Sequence, residues 1–176
     1  MAVRARTDAD LDACVEMAML VHERDGYPAF LPTDLRSFLA SPDAFGAWVV
    51  EEADGVLGHV ALHRRTSAAA LAVAATALQQ PVDRLGVVAR LLVAPWARRR
   101  GVGRALLDVA SRDAVARGLW PILDVATHYH GAVRLYEDCG WTRAGDITLR
   151  FTDEVTLDEH IYLGPLRPDG DSTPSA

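Results

Sequence analysis

The sequence contains no lysine, so all 18 of its basic residues are arginine. It has only two cysteines, Cys14 and Cys139, and no run of 18 or more apolar residues. The missing lysine excludes the phosphate-binding loop that ends in Gly-Lys. Two distant cysteines without metal spacing favour free thiols over a disulfide framework. Because there is also no transmembrane run and no apolar secretory signal at the N-terminus, we expect a soluble, cytoplasmic protein.

An acidic balance limits the choice of partners. The formal net charge is −6 over 176 residues, half of which are hydrophobic. This size and composition favour one α/β domain with a substantial core. A general nucleic-acid binder needs excess positive charge to displace counterions, so that class is disfavoured. The acidic surface would suit a cationic amine, while the arginines at 98–100 are typical of a local anion site.

Hydrophobic periodicity predicts alternating helices and strands. Helices are predicted over about 8–22, 33–40, 67–79, 129–138 and from 102 up to Gly118. Strands are predicted over 47–52, 56–63, 85–93, 121–125, 142–146, 147–152 and 159–163. The pair Asp54-Gly55 predicts a hairpin, and therefore antiparallel pairing, between the first two strands. The helix after strand 85–93 predicts a βαβ crossover, which makes strands 85–93 and 121–125 parallel.

The segment Arg98-Arg99-Arg100-Gly101-Val102-Gly103 lies where a predicted strand turns into a helix. Amides in the first turn of a helix have no helical acceptor, so together with the helix dipole they form an anion site. The two glycines allow a phosphate to approach the backbone, and the arginines supply forked donors. The dinucleotide fingerprint does not fit, because Leu106 stands where Gly or Ala is needed. A solvated arginine cluster on an ordinary crossover helix is the alternative at this point.

Two segments resemble the GCN5-related N-acetyltransferases (GNAT). The core of that family's signature is Arg or Gln, two variable residues, Gly, one variable residue, and Gly or Ala. Arg98, Gly101 and Gly103 occupy the three places. Residues 132–141, with Leu-Tyr-Glu followed by Gly-Trp, are similar to a second family segment, and the order of predicted elements over 3–163 also matches.

The resemblance implies an α/β fold with a mixed, mostly antiparallel sheet of about six to seven strands, one parallel βαβ crossover and flanking helices. It implies a single domain over 1–164, followed by a flexible tail over 165–176. The implied activity is transfer of the acetyl group from acetyl-CoA to a primary amine by direct attack in a ternary complex. The expected partners are acetyl-CoA and a small-molecule amine or a peptide, without nucleic acid, membrane or metal, and a homodimer is a further expectation.

The resemblance also implies roles for individual residues. The expected cofactor-binding residues are Leu91, Leu92, Val93, Arg98, Arg99, Arg100, Gly101, Val102, Gly103, Arg104 and Tyr129. The first three match positions that bind the pantetheine arm and polarise the thioester carbonyl, and the amides from Arg99 to Arg104 match those that hold the pyrophosphate. Tyr136 occupies the general-acid position, where a phenol can donate a proton to the departing thiolate, although a packing role is the alternative. Tyr129 stands where the family often has Asn, and its spacing from Tyr136 predicts one shared helix face.

The general base and the acceptor stay open. Many relatives carry a glutamate on the strand before the loop, but Val87–Val93 contains no acid. His59 and His63 share a strand face, and Asp83 and Asp124 are further candidates.

Other functions also stay open. A catalytically silent acyl-CoA-binding regulatory module and a phosphate-loop enzyme or nucleic-acid binder are the alternatives. The alanine-rich segment 67–79 is a hypothetical cover of the acceptor cleft or dimer contact.

Overall fold

The computed structural model describes residues 2–53 and 55–168. Asp54 of the predicted hairpin and residues 169–176 of the predicted tail lie outside the described part. The strands are β1 (Ala2–Ala5), β2 (Ala44–Glu52), β3 (Gly55–His63), β4 (Leu85–Val93), β5 (Trp120–Ala126), β6 (Thr142–Arg150) and β7 (Thr156–Leu163). The helices are α1 (Leu11–Asp25), α2 (Leu35–Leu39), α3 (Ala68–Leu78), α4 (Val102–Ala116) and α5 (His130–Asp138).

Among the described residues, seven strands follow one another in the order β1-β2-β3-β4-β5-β7-β6. The residues divide into two compact units, the first made of residues within 2–63 and 88–110, the second of residues within 64–87 and 111–168. Strand β4 and helix α4 each pass from one unit to the other. The two units are described separately below.

In the first unit, β1 pairs with β2 and β2 with β3, both antiparallel. Helix α1 packs against β3 and ends at Gly26, whose φ of 72° is the left-handed conformation that closes many helices. A salt bridge fixes the entry to α1, because the Arg4 guanidinium donates to both carboxylate oxygens of Asp10. The buried core of this unit includes Leu11, Met17, Val21, Val60, Leu62, Leu92 and Leu106.

In the second unit, the start of β4 runs parallel to β5, while β5 pairs with β7 and β7 with β6 in antiparallel fashion. Helix α3 is capped by Ser67, whose hydroxyl accepts from the Ala70 amide, and it packs on β6 and β7. A Cβ built on Gly145 of β6 would lie 3.0 Å from Val73, so glycine permits this close approach. The alanine-rich helix thus contributes to the core of its own unit through Ala70, Leu71 and Ala74.

The predicted fold class is confirmed: the sheet is mixed and mostly antiparallel, with one parallel pair, and helices flank it. Three details differ from prediction. Residues 142–150 form the single strand β6, whereas two strands were predicted there, and β1 was not predicted. Helix α5 begins at His130, so Tyr129 precedes it. None of the helices in the described residues is long and apolar enough to cross a membrane.

Candidate functional site

The predicted anion loop has the backbone shape of a concave amide site. After β4 ends at Val93, a short 3-10 turn over Pro95–Ala97 leads into a turn over residues 98–101 and then into α4. Within this turn, Arg99 has a φ of 60° and Gly101 a φ of 84°. A left-handed residue directly before right-handed ones, as Gly101 is before α4, turns successive amides toward one side, a geometry that can bind anions. The Ala105 amide donates to the Gly101 carbonyl at 3.0 Å, so the amides before it precede the helical hydrogen-bond ladder.

Close packing within the first unit holds this loop in place. Val102 and Leu106 are buried on α4. A Cβ built on Gly58 of β3 would lie 2.7 Å from Cγ1 of Val102 and 3.0 Å from the Leu92 carbonyl oxygen. A side chain at this position would therefore push α4 and β4 away from β3. Glycine at 58 is what allows the first turn of α4 to lie this close to the sheet.

Two of the predicted phosphate-binding arginines are engaged in ion pairs. Arg98 pairs with Asp25 at the end of α1, and Nη2 of Arg100 lies 2.6 Å from a carboxylate oxygen of Glu52 on β2. These pairs tie the loop to two other elements of the first unit and offset part of its positive charge. Exposed ion pairs of this kind contribute little stability and exchange partners at low cost.

Strand β4 departs from regular pairing before it reaches the loop. The parallel ladder with β5 joins Leu85–Val87 to Trp120–Ile122, and among the described residues it extends no further, although β4 continues to Val93. Arg90 has a φ of 55°, a left-handed conformation that is costly for a non-glycine residue. The Nδ1–H of buried His59 donates to the Arg90 carbonyl at 3.0 Å. This bond holds the irregular peptide directly before Leu91–Val93, the segment predicted to bind the pantetheine arm.

Arg90 is the centre of a half-buried cluster in the first unit. Its Nη1 lies 2.5 Å from Nε2 of His63, and its guanidinium carbon lies 4.2 Å from the centre of the Phe38 ring. Burial and the neighbouring guanidinium lower the pKa of His63 to about 4, and burial alone is the main reason that the pKa of His59 falls to about 4. Both imidazoles are therefore neutral at pH 7. His59 is fully buried, so it serves packing and backbone positioning and does not line a cleft.

The predicted residues of the second unit lie around the start and end of α5. Tyr136 is 8% exposed, and its ring lies 6.3 Å from that of Trp141 and 6.1 Å from that of Tyr162. Tyr129 has a φ of −82° and a ψ of 63°, outside the helical region, and its ring lies 4.2 Å from His128. Tyr129 is therefore the N-cap of α5, and its carbonyl accepts from the Val133 amide, while the shared face of the two tyrosines stays a prediction. The roles of these two tyrosines stay predictions.

A pair of carboxyl groups on β5 and β7 was only partly anticipated. Asp124 pairs with Ile161 across the ladder, so the side chain of Glu159, two residues before Ile161, lies on the same sheet face as Asp124. Burial raises the pKa of both groups, that of Glu159 to about 7 with a further contribution from the charge of Asp124. Glu159 is 7% exposed and its Oε2 has no hydrogen-bond partner among the described residues. Asp124 was a sequence candidate for the general base, whereas Glu159 was missed, although an acid alternating with Ile161 on an apolar strand was the available signal.

The remaining candidates sit in exposed positions. Asp83 lies in a short 3-10 turn, and His128 and His130 are exposed at the start of α5. Within residues 2–53 and 55–168, no group of three or more His, Cys, Asp or Glu side chains is arranged to hold a metal ion. Cys14 and Cys139 form no disulfide within the described residues, and burial raises the pKa of Cys14 to about 11.

Comparison with solved structures finds many proteins with this fold. An N-acetyltransferase from Staphylococcus aureus superposes with a TM-score of 0.70 at 17% identity, covering 92% of this chain and 96% of that one. The ribosomal-protein-alanine N-acetyltransferase from Brucella melitensis gives 0.70 at 19% identity, with coverages of 94% and 100%. Arabidopsis thaliana NAA60 in complex with acetyl-CoA gives 0.67 at 16% identity, with coverages of 92% and 96%. A search of proteins with curated functions finds no significant match.

The family assignment comes from the sequence profile of the Acetyltransferase (GNAT) family, which matches residues 14–141. This range contains β4, the loop with its two left-handed residues, α4, β5 and α5. The match covers well over half of the chain and agrees with the motifs at 98–103 and 132–141. The chain belongs to the GNAT acetyltransferase family, and it is an acyltransferase that uses acetyl-CoA.

Proposed function

We propose that this protein is an N-acetyltransferase that transfers the acetyl group of acetyl-CoA to a primary amine by direct attack in a ternary complex. The observation that carries this proposal is the turn into α4, where Arg99 and Gly101 are left-handed within the family's phosphate-binding motif. That backbone shape would present several amides to one anion, as a diphosphate requires. We further propose that the protein acts in the cytoplasm and as a homodimer.

The cofactor would lie along one edge of the first unit. The amides from Arg99 to Arg104 would hold the pyrophosphate. The pantetheine arm would run along Leu91–Val93 as an added strand, because this part of β4 lies beyond the parallel ladder. Leu92 is fully buried while Leu91 and Val93 are partly exposed, so an extended ligand would meet both backbone and side chains. The acetyl-CoA complex of Arabidopsis NAA60, which shares the fold, supports this cofactor.

Acetyl transfer needs a neutral amine, a stabilised oxyanion and a proton for the leaving thiolate. The amine nitrogen attacks the thioester carbonyl carbon, the C–S bond of the resulting adduct breaks, and the sulfur takes a proton. Backbone amides of Leu91–Val93 would stabilise the oxyanion, and Tyr136 would supply the proton, as its position in the family motif suggests. We assign the proton lost by the amine to the pair Asp124 and Glu159, since a carboxyl group with a pKa of about 7 is suited to accept it at neutral pH.

The test is release of the CoA thiol from acetyl-CoA in the presence of a broad panel of small amines, amino acids, aminoglycosides and peptides. The proposal predicts amine-dependent release, with the acetylated amine identified by mass spectrometry. Reactions without amine measure background hydrolysis. Tight binding of CoA combined with no amine-dependent release across the panel would contradict the proposal and favour a silent acyl-CoA-binding regulatory module.

A further inference from the structure

Arg90 differs from the ion-paired arginines of its unit in what its guanidinium contacts. Arg4, Arg98 and Arg100 each pair with a carboxylate. Among the described residues, the guanidinium of Arg90 contacts only the imidazole of His63 and the face of the Phe38 ring. Burial lowers the pKa of Arg90, whereas Tyr27 and, to a smaller extent, the exposed Asp43 raise it through space, and Asp43 makes no ion pair with Arg90. Arg90 is therefore a half-buried cation without a partner of opposite charge in this part of the structure.

The surroundings of Arg90 preserve this arrangement. A buried charge without a counterion is costly, and so is a left-handed φ at a non-glycine residue. His63 can only accept a hydrogen bond from a guanidinium, which is a donor at every nitrogen, so it stays neutral and adds no compensating charge. Phe38 lies beneath the guanidinium plane and limits its rotation. His59 fixes the Arg90 peptide through the bond to its carbonyl. His63 and Phe38 thus hold the guanidinium in a fixed orientation, and His59 fixes the backbone that carries it.

We propose that Arg90 binds a carboxylate of the acceptor, and that the acceptor is therefore an amino acid or a related molecule with a carboxylate close to its amine. This inference rests on the proposed function, since it places the acceptor beside the thioester. A guanidinium presents two parallel N–H donors that match the two oxygens of a carboxylate. Arg90 directly precedes Leu91–Val93, and consecutive Cα atoms are only about 3.8 Å apart, so a molecule held by Arg90 would lie near the segment proposed to bind the pantetheine arm.

Such a site would also help the chemistry. The attacking amine must lose its proton before it can react. A fixed positive charge nearby disfavours the ammonium form of the amine while it attracts the carboxylate. The acidic surface of the protein suits a cationic amine, and an amino acid satisfies both observations because it carries charges of both signs.

The experiment compares amino acids with their amides, which keep the side chain and the amine but lack the anion. Binding is measured as the rise in Tm of the CoA-saturated protein, and turnover as thiol release from acetyl-CoA. The wild-type protein is expected to favour the acids over the amides by about ten- to a hundredfold in kcat/KM, as for a charge-assisted hydrogen bond. In Arg90→Gln this preference should disappear through a higher KM for the acids, with little change for the amides. Arg90→Lys should keep part of it.

Two controls separate a local effect from misfolding. Arg143→Gln removes an exposed arginine that pairs with Asp146 on β6, and it should leave the preference unchanged. The CoA affinity of Arg90→Gln should match that of the wild type, which shows that the fold and the loop persist. Equal responses to acids and amides in both readouts of the wild type, or an intact preference in Arg90→Gln, would overturn the proposal. A preference in Tm without any turnover would support the Arg90 site and contradict the proposed acetyl transfer.

Discussion

The Arg90 cluster of the first unit and the carboxyl pair of the second unit respond to burial in opposite ways. In the first, burial lowers the pKa of His59 and His63, so both imidazoles stay neutral at pH values well below 6.5, where a solvent-exposed histidine would be protonated. In the second, burial raises the pKa of Asp124 and Glu159, so a proton stays on the pair up to near pH 7. Only the guanidinium keeps its charge, because its pKa is too high for burial to neutralise it. Burial therefore leaves a permanent cation in the first unit and an exchangeable proton in the second.

The two clusters also give opposite pH dependences of stability. A histidine with a folded pKa of about 4 and an ordinary value of 6.5 destabilises the fold as pH falls through this window, because the unfolded chain gains the proton first. Glu159, with a folded pKa of about 7 against 4.5, stabilises the fold as pH falls through its own window, because the folded chain gains the proton first. The two effects oppose each other over most of the same range.

The largest expected effect is on catalysis by Glu159→Gln. The variant keeps the shape of the side chain but cannot accept a proton, so kcat should fall by about a hundredfold or more, while CoA affinity is unchanged. In the wild type, kcat/KM should rise as pH increases through about 7, the value to which burial raises the pKa of Glu159, and this rise should be lost in the variant. Glu154→Gln, at an exposed glutamate of the turn between β6 and β7, is the matched control. Wild-type turnover in Glu159→Gln would remove the pair from the reaction.

A smaller loss of turnover is expected from Tyr136→Phe. The hydroxyl is the proposed proton donor to the thiolate, and its removal should lower kcat by about tenfold to a hundredfold without weakening CoA binding. The fall in kcat should be the same for every acceptor, because the same thiolate leaves whichever amine attacks. Steady-state kinetics with two different acceptors measure this. Equal turnover would assign Tyr136 to packing with Trp141 and Tyr162.

The pH dependence of the unfolding free energy should distinguish the contribution of the Arg90 cluster from that of the carboxyl pair. Between about pH 7.5 and pH 5, His59 should cost the wild-type fold on the order of 2 kcal/mol of unfolding free energy, and His59→Leu should abolish that loss. Urea unfolding at the two pH values measures it. His130→Gln changes an exposed histidine and should keep the wild-type difference. An unchanged pH dependence in His59→Leu would mean that His59 is protonated in the fold.

Urea unfolding of Glu159→Gln at the same two pH values should show a larger loss of unfolding free energy on acidification than the wild type shows. The Glu159 carboxyl stabilises the fold as it takes up a proton on acidification. Without it, the unfolding free energy of the variant should fall more than that of the wild type, by about 2 kcal/mol or less. Glu159 titrates together with Asp124, which spreads the effect over the pair and makes it the smallest of the four. A variant that is less acid-sensitive than the wild type would contradict the assigned direction of the pKa shift.

Much of the fold was predictable because hydrophobic periodicity and glycine positions are local signals. The boundaries of β4 were predicted at Leu85 and Val93, and the hairpin pairing of β2 with β3 was confirmed. Strand β1 was missed because it has only four residues and no buried alternation. Gly145 and Asp146 suggested a break where β6 is in fact continuous, since pairing with β7 and packing against α3 override the local preference.

The site was predictable only where a motif marked it. The loop at 98–103 was located by its glycines and arginines. Arg90 was hidden within an apolar run, because a left-handed residue inside a strand depends on its partners, here His59 and Phe38, which are distant in sequence. Glu159 was hidden for the same reason, since only the register between β5 and β7 reveals that it shares a face with Asp124.

The most direct test of the account is a calorimetric titration of the wild type, Gly101→Glu and Gly131→Glu with CoA. Gly101 has a φ of 84° and lies among the amides that would hold the pyrophosphate, so a glutamate there adds strain, bulk and negative charge. Gly131 lies at the exposed start of α5, where an added Cβ meets no atom within 4 Å. The account predicts that Gly101→Glu binds CoA about a hundredfold more weakly while Gly131→Glu matches the wild type. Equal CoA affinity in all three proteins would contradict the loop as the diphosphate site.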